Sequence, residues 1–217
     1  MTFTGFPPEA LDFYEGLEAD NTKAYWNEHR SVFDDAVKAP LLELCADLEA
    51  EFGVAKVFRP YRDVRFSHDK SPYKTHQGAV VGDRAGSGAL YFHLSAAGLF
   101  VAAGYYEMAS DQVQRYREAV DDETTGEALR EVVATVAAAG HEIGGDRLKT
   151  RPRGYPEDHP RLELLRHRSL TASHQFGPEE WLHTPQAEQV VARTWRQMQP
   201  LNDWLSRHVG ASRAART

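Results

Sequence analysis

Between Val54 and Tyr106 the chain breaks into short runs rich in β-branched and aromatic residues, VAKVF, DVRF, QGAVV, ALYFHLS and GLFVAAGYY, separated by Gly, Pro, Ser and Asp. Runs of this length and composition are strands rather than helices. Only SAAG separates the last two, which makes them a hairpin and argues for antiparallel pairing. This block constrains the fold most, because helical periodicity brackets it on both sides.

Before it, Leu11, Phe13, Tyr14 and Leu17 follow Pro7 and Pro8 at helical spacing. Asn21 is the expected cap of a second helix carrying Tyr25, Trp26, His29 and Phe33. Pro40 is expected to start a third, with Leu41, Leu44, Cys45, Leu48 and Phe52 on its buried face. After the block, Ser110 is the expected cap of a helix with Val113, Tyr116 and Val120, followed by Leu129, Val132, Val133 and Val136 before Gly140. RSLTASHQF, residues 168 to 176, can return as one more strand. The last helices open at Gly177-Pro178 and Thr184-Pro185, and Pro200 is expected to kink or break the final one.

The pattern predicts an α+β fold, with a central antiparallel or mixed sheet flanked by N-terminal and C-terminal helices. A chain of 217 residues fits one core, so a single domain is expected over residues 1–209. Its expected parts are helical 8–52, sheet-rich 54–106, helical 110–140, a basic loop and strand 145–176, and helical 178–208, with 210–217 a flexible tail. MTFTGFPPEALDF has neither the basic nor the apolar region of a signal peptide, and no stretch approaches the roughly 18 apolar residues of a spanning helix. A cytoplasmic protein without membrane contact is therefore expected. Cys45 is the only cysteine, which excludes an intrachain disulfide and a multi-thiolate zinc site, and its spacing reads as core packing. Trp181, Trp195 and Trp204 read as core or interface anchors.

Net charge is -7, and it is unevenly spread. Residues 59–76 carry +3 and residues 147–168 carry +4, so the remainder carries -14. Two basic segments on an acidic body focus field on a small anion, whereas a duplex backbone requires an extended stripe, which argues against nucleic acid. In RPYRDVRFSHDKSPYKTH the strand-like DVRF is followed by turn chemistry. Arg62 and Arg65 would take opposite strand faces, and Arg65 and Asp63 would share one, where a carboxylate could fill the guanidinium fork. The second segment contains RPRGYPEDHP, a stiff loop in which Asp158 or His159 can either cap a short helix or act chemically.

These residues fit a pocket for a small anionic ligand, phosphorylated ligands included. The expected ligand-binding residues are Arg62, Arg65, Lys70, Lys74, Tyr73, Arg151, Arg153 and Tyr155. The candidates for acid-base chemistry are His68, His159 and Asp63. Two other readings stand beside it: an interaction module docking an acidic protein or nucleic acid, and a purely structural network of ion pairs with the active surface elsewhere. His68, Asp69 and His76, with His93 or His159, could approach a metal, but the flanking Arg and Lys would repel a cation, so no metal site is expected. The familiar dinucleotide, P-loop, hydrolase-elbow and zincin motifs are absent. No cofactor, oligomeric state or turnover is assigned.

FPPEALDFYEGLEADNTKAYWNEHR, FRPYRDVRFSHDKSPYKTH, YFHLSAAGLFVAAGYY and LKTRPRGYPEDHPRLELLRHRSL together resemble the bacterial and fungal family called domain of unknown function 2461, from about Phe6 to about Leu205. The resemblance implies a single-domain protein of this length and brings no activity, cofactor or substrate. Asn21-Thr22 and Tyr25-Trp26 stand where the family pattern has NN and WF.

Overall fold

A computed structural model describes residues 2–63, 65, 69–82 and 88–213. Helices α1 (Glu9–Ala19), α2 (Lys23–Glu28), α3 (Arg30–Val32) and α4 (Ala39–Phe52) precede the sheet. Strands β1 (Ala55–Val57), β2 (His76–Val81), β3 (Ala89–Ser95) and β4 (Gly98–Tyr105) follow. Then come α5 (Ser110–Asp121), α6 (Glu123–Ala138), β5 (Glu142–Gly144), α7 (Leu162–Leu165), β6 (Leu170–Gln175) and α8 (Gln186–His208). The strands form one antiparallel sheet in the order β1-β2-β3-β4-β6-β5. The fold is α+β, with helices at both ends of the chain. Among the described residues, no helix is long and apolar enough to cross a membrane.

The chain divides into two compact units. The first comprises Met1–Val81, Tyr91–Val101 and Gln175–Arg193, and the second Gly82–Leu90, Ala102–His174 and Thr194–Thr217. In the first unit, Phe6, Tyr14, Leu17, Trp26, Leu41 and Leu44 from the helices and Phe92, Leu94, Leu99 and Val101 from the strands are buried. Burial alternates along β3, with Leu90, Phe92 and Leu94 inward and Tyr91 and His93 half-buried on the other face. In the second unit Tyr116, Val120, Leu129, Leu165, Leu170, Trp195 and Leu205 are buried.

Several local expectations are corrected. Pro40 stands in the first turn of α4, as its position predicts, but residues Phe33–Lys38 form a π-helical segment joining α3 to α4. Proline has no N–H for the carbonyl four residues back, and its ring crowds that carbonyl. The wider turn accommodates this, with the Ala39 N–H donating to the Asp34 carbonyl. Thr22, not Asn21, caps α2, its hydroxyl accepting the Tyr25 N–H at 3.2 Å. Ala109, not Ser110, precedes α5, and Gln112 Oε1 accepts the Ala109 N–H at 2.9 Å. Pro200 lies inside α8 without ending it, because Trp195 and Met198 before it and Leu201 and Leu205 after it are all buried. Asp63 and Arg65 lie outside any strand, and Val64 and Phe66 of DVRF lie outside the described residues. Within the expected tail 210–217, Ser212 Oγ and the Arg213 N–H donate to the Asp111 carboxylate at 2.9 and 2.8 Å, and residues 214–217 lie outside the described residues.

Candidate functional site

The two basic stretches fall in different compact units, and each is built separately. In the first, Tyr61 and Tyr73 form an isolated antiparallel bridge, with Arg62 N–H donating to the Pro72 carbonyl at 2.9 Å and Lys74 N–H to the Pro60 carbonyl at 2.8 Å. The loop is thereby closed at its base. Asn21 holds that base: its Nδ2 donates to the Tyr73 carbonyl at 3.0 Å and its Oδ1 accepts the Tyr73 N–H at 3.1 Å. Trp26 stacks on Tyr73 with ring centroids 4.2 Å apart and planes 6° from parallel. Tyr73 is buried, so in this structure it anchors the loop.

The charges of the loop are partly neutralised within it. Arg62 is ion-paired with Asp69, whose other oxygen accepts the Ser71 N–H at 2.9 Å. Arg65 forks onto Asp63, Nε to Oδ1 at 3.0 Å and Nη2 to Oδ2 at 2.7 Å, as their spacing suggested. The hydrogen bonds from Arg65 hold the Asp63 carboxyl down at about 2. Lys70 is exposed. His68 lies outside the described residues. Lys74 is half-buried, its ammonium 5.1 Å from the centroid of the Phe58 ring. Burial pushes its pKa down, assisted by Arg59 and Arg62. Neither Lys74 nor Arg59 makes an ion pair among the described residues.

In the second unit three of the six guanidinium groups of the basic segment, those of Arg151, Arg161 and Arg166, donate to backbone carbonyls. Arg151 donates to the Tyr155 carbonyl at 2.8 Å, and Arg166 to the Leu148 and Lys149 carbonyls at 2.8 and 2.9 Å. Arg161 grips the α5–α6 junction, donating to the carbonyls of Val120 at 2.7 Å, Asp121 at 2.8 Å and Asp122 at 3.3 Å. Gly126 leaves room for it, since a Cβ there would come within 2.4 Å of Arg161 Nε. Replacing Arg161 by Ala is expected to cost about 2 to 4 kcal/mol in urea denaturation, because helix-end carbonyls lose a charged donor. Lysine should not restore it, as one ammonium cannot reproduce the fork.

His159 is similarly engaged at both nitrogens: Nδ1 accepts the Arg161 N–H at 3.0 Å and Nε2 faces Asp121 Oδ1 at 3.1 Å. A neutral imidazole with its proton on Nε2 satisfies both contacts. The ring supports the loop and offers no free nitrogen to a substrate in this arrangement.

What remains is a cleft of about 830 Å³. It is lined by the face of α5 bearing Ser110, Val113, Gln114, Arg117 and Glu118, by Tyr106, Glu107 and Met108, and by Asp146, Leu148, Arg153, Tyr155, Arg168 and Ser169. Arg168 is paired with Asp146 at 2.6 Å. Arg117 donates through Nε to the Leu165 carbonyl at 3.3 Å, and neither it nor Arg153 makes an ion pair among the described residues. Burial pushes the Tyr155 phenol up, with Asp121 adding to the effect, so at neutral pH it is a hydroxyl donor.

Of the residues singled out from sequence, Arg153 and Tyr155 line this cleft, whereas Arg151 is turned to its own loop. Arg117 went unnoticed because a lone arginine on an amphipathic helix reads as solvated surface. Its only signal was spacing, since Ser110, Val113, Gln114 and Arg117 lie on one helical face. Among the described residues, no group of three or more His, Cys, Asp or Glu side chains is placed to hold a metal.

No curated protein and no solved structure matches the chain. The model of one family does, over residues 9–204, and the chain therefore belongs to the conserved hypothetical protein family DUF2461.

Proposed function

We propose that the chain binds a small anionic molecule, bearing phosphate or carboxylate, in the cleft of the second unit. The observation that carries this is the pair Arg117 and Arg153, two cleft-lining guanidinium groups without a carboxylate partner among the described residues. Arginine forks match planar or tetrahedral oxyanions bidentately. Tyr155, Ser110 and Ser169 would add neutral donors, and Glu107 and Glu118 suit hydroxyl or amino groups elsewhere on the ligand. Support for binding is stronger than for proton transfer, since His159 is engaged at both nitrogens and Asp63 is held by Arg65.

The test is a thermal-shift screen with inorganic phosphate, sugar phosphates and small dicarboxylates, repeated on the Arg117→Gln/Arg153→Gln variant. A ligand at a hundred times its Kd adds about 2.7 kcal/mol, and a chain of this size melts roughly 2 to 4 °C higher per kcal/mol. The expected result is a selective shift that disappears in a folded variant. An equal shift in that variant, or none from any compound with the parent protein, would overturn the reading. Steep loss of binding with salt would instead point to an extended polyanion.

A further inference from the structure

The first unit presents a sheet face whose composition burial does not explain. Phe92, Leu94, Leu99 and Val101 fill the inward side of β3 and β4. The opposite side of a half-covered antiparallel sheet ordinarily carries polar residues. Here it carries Tyr91, His93 and Phe100, with His76 of β2 and Phe58 beside them, all half-buried.

These side chains form one continuous surface. His93 is stacked on Phe100 with centroids 4.8 Å apart, His76 lies 4.6 Å from His93, and Phe58 and Phe100 each lie 6.2 Å from Tyr91. The Tyr91 hydroxyl meets His93 Nδ1 at 3.1 Å. Tyr91 leans across β2 because residue 78 is glycine: a Cβ there would sit 2.6 Å from its hydroxyl oxygen. At one border of the surface stands Lys74, over Phe58, with Arg59 and Arg62 acting on it as like charges. Arg62 is neutralised by Asp69, while Lys74 and Arg59 make no ion pair among the described residues. Aromatic rings and an uncompensated cation therefore adjoin.

We infer that this face is a second binding site, for a planar aromatic ring bearing an anionic group. The ring lies on the Tyr91, His93 and His76 surface, and its phosphate or carboxylate is met by Lys74 and Arg59. Stacking supplies affinity without base-edge readout, and the charge pair fixes orientation. Nucleotides and aromatic acids share this chemistry.

The experiment is calorimetric titration of the full chain carrying Arg117→Gln/Arg153→Gln, which separates this site from the cleft. Adenosine 5′-monophosphate and benzoate are the probes; adenosine and inorganic phosphate are the controls. At least one probe should bind, with each control about tenfold weaker or more. Lys74→Gln should weaken the probe about tenfold, and Tyr91→Ala roughly 5- to 100-fold. Binding of the monophosphate alone identifies a nucleotide site, and binding of benzoate an aromatic-acid site. As a measurement on the unsubstituted chain, which does not depend on the variants folding, proton NMR should show the His76 and His93 ring resonances, assigned by triple-resonance spectroscopy, shifting with the probe. Failure of both probes to bind, affinity unchanged in Lys74→Gln and Tyr91→Ala, or histidine resonances that stay fixed at saturation would overturn the inference.

Discussion

Replacing Trp26 by Ala is expected to lower the stability of the protein by about 3 to 5 kcal/mol, the cost of deleting a fully enclosed aromatic side chain. Trp26 is 2% exposed and touches four other rings, stacking on Tyr73 at 4.2 Å and lying 4.8 Å from Phe33, 5.8 Å from Phe13 and 6.1 Å from Tyr61. Its loss leaves a cavity at the base of the first basic loop, where Asn21 holds the Tyr73 backbone. Equilibrium urea denaturation measures the effect directly. Trp26→Phe should cost far less, about 1 kcal/mol or less. It keeps a ring in the stack and removes an indole N–H that has no hydrogen-bond partner among the described residues, offsetting some of the lost contact. A Trp26→Ala protein as stable as the parent would mean that the stack is not a support of the loop.

The second large effect is a loss of stability in mild acid that depends on His93. Burial, with a further contribution from His76, pushes its imidazole from an ordinary value of 6.5 down to about 3. Because the unfolded chain protonates this ring near pH 6.5 and the folded chain only near pH 3, the unfolded state binds more protons throughout that interval. The stabilisation is therefore complete above pH 6.5 and is lost progressively as the pH falls toward 3. The slope approaches about 1.4 kcal/mol per pH unit for this one group, or about 2 to 3 kcal/mol between pH 6.5 and 4.5. His93→Phe keeps a ring against Phe100 and removes the titration. Stability of the two proteins measured at pH 7.5, 5.5 and 4.5 should converge in acid by that amount. The carboxylates held low by hydrogen bonds, such as Asp63 and Asp122, lose their contribution at lower pH. Curves that stay parallel from pH 7.5 to 4.5 would show that His93 is not the source.

Much of the architecture is legible in the amino-acid sequence. The β3–β4 hairpin, α1, α5 and α6 are legible because period and turn composition are local properties. Asp63 and Arg65 were legible as a pair because the partners are two positions apart. By contrast, Asn21 looked like a helix cap, and its actual partner, Tyr73, is 52 positions away. No local pattern announces such a bond. Arg161 and Arg166 counted equally with Arg153 toward a positive segment, yet they are spent on carbonyls of the chain itself while Arg153 lines the cleft. The difference lies in which backbone groups the fold leaves without partners nearby.

The amino-acid sequence by itself determined the α+β class, the placement of the sheet block between helices, and the two basic segments. These follow from hydrophobic period, turn residues and charge order, which act over a few residues. Tertiary structure decided that α3 runs through a π-helical turn into α4, that His159 is locked between Arg161 and Asp121, and that Arg117 and Arg153 line one cleft. It also decided that one sheet face keeps its aromatic rings and histidines half outside the core. Hydrogen bonds and ring contacts act over about 3 to 6 Å of space whatever the separation along the chain, so only folding reveals which polar groups are satisfied and which remain available.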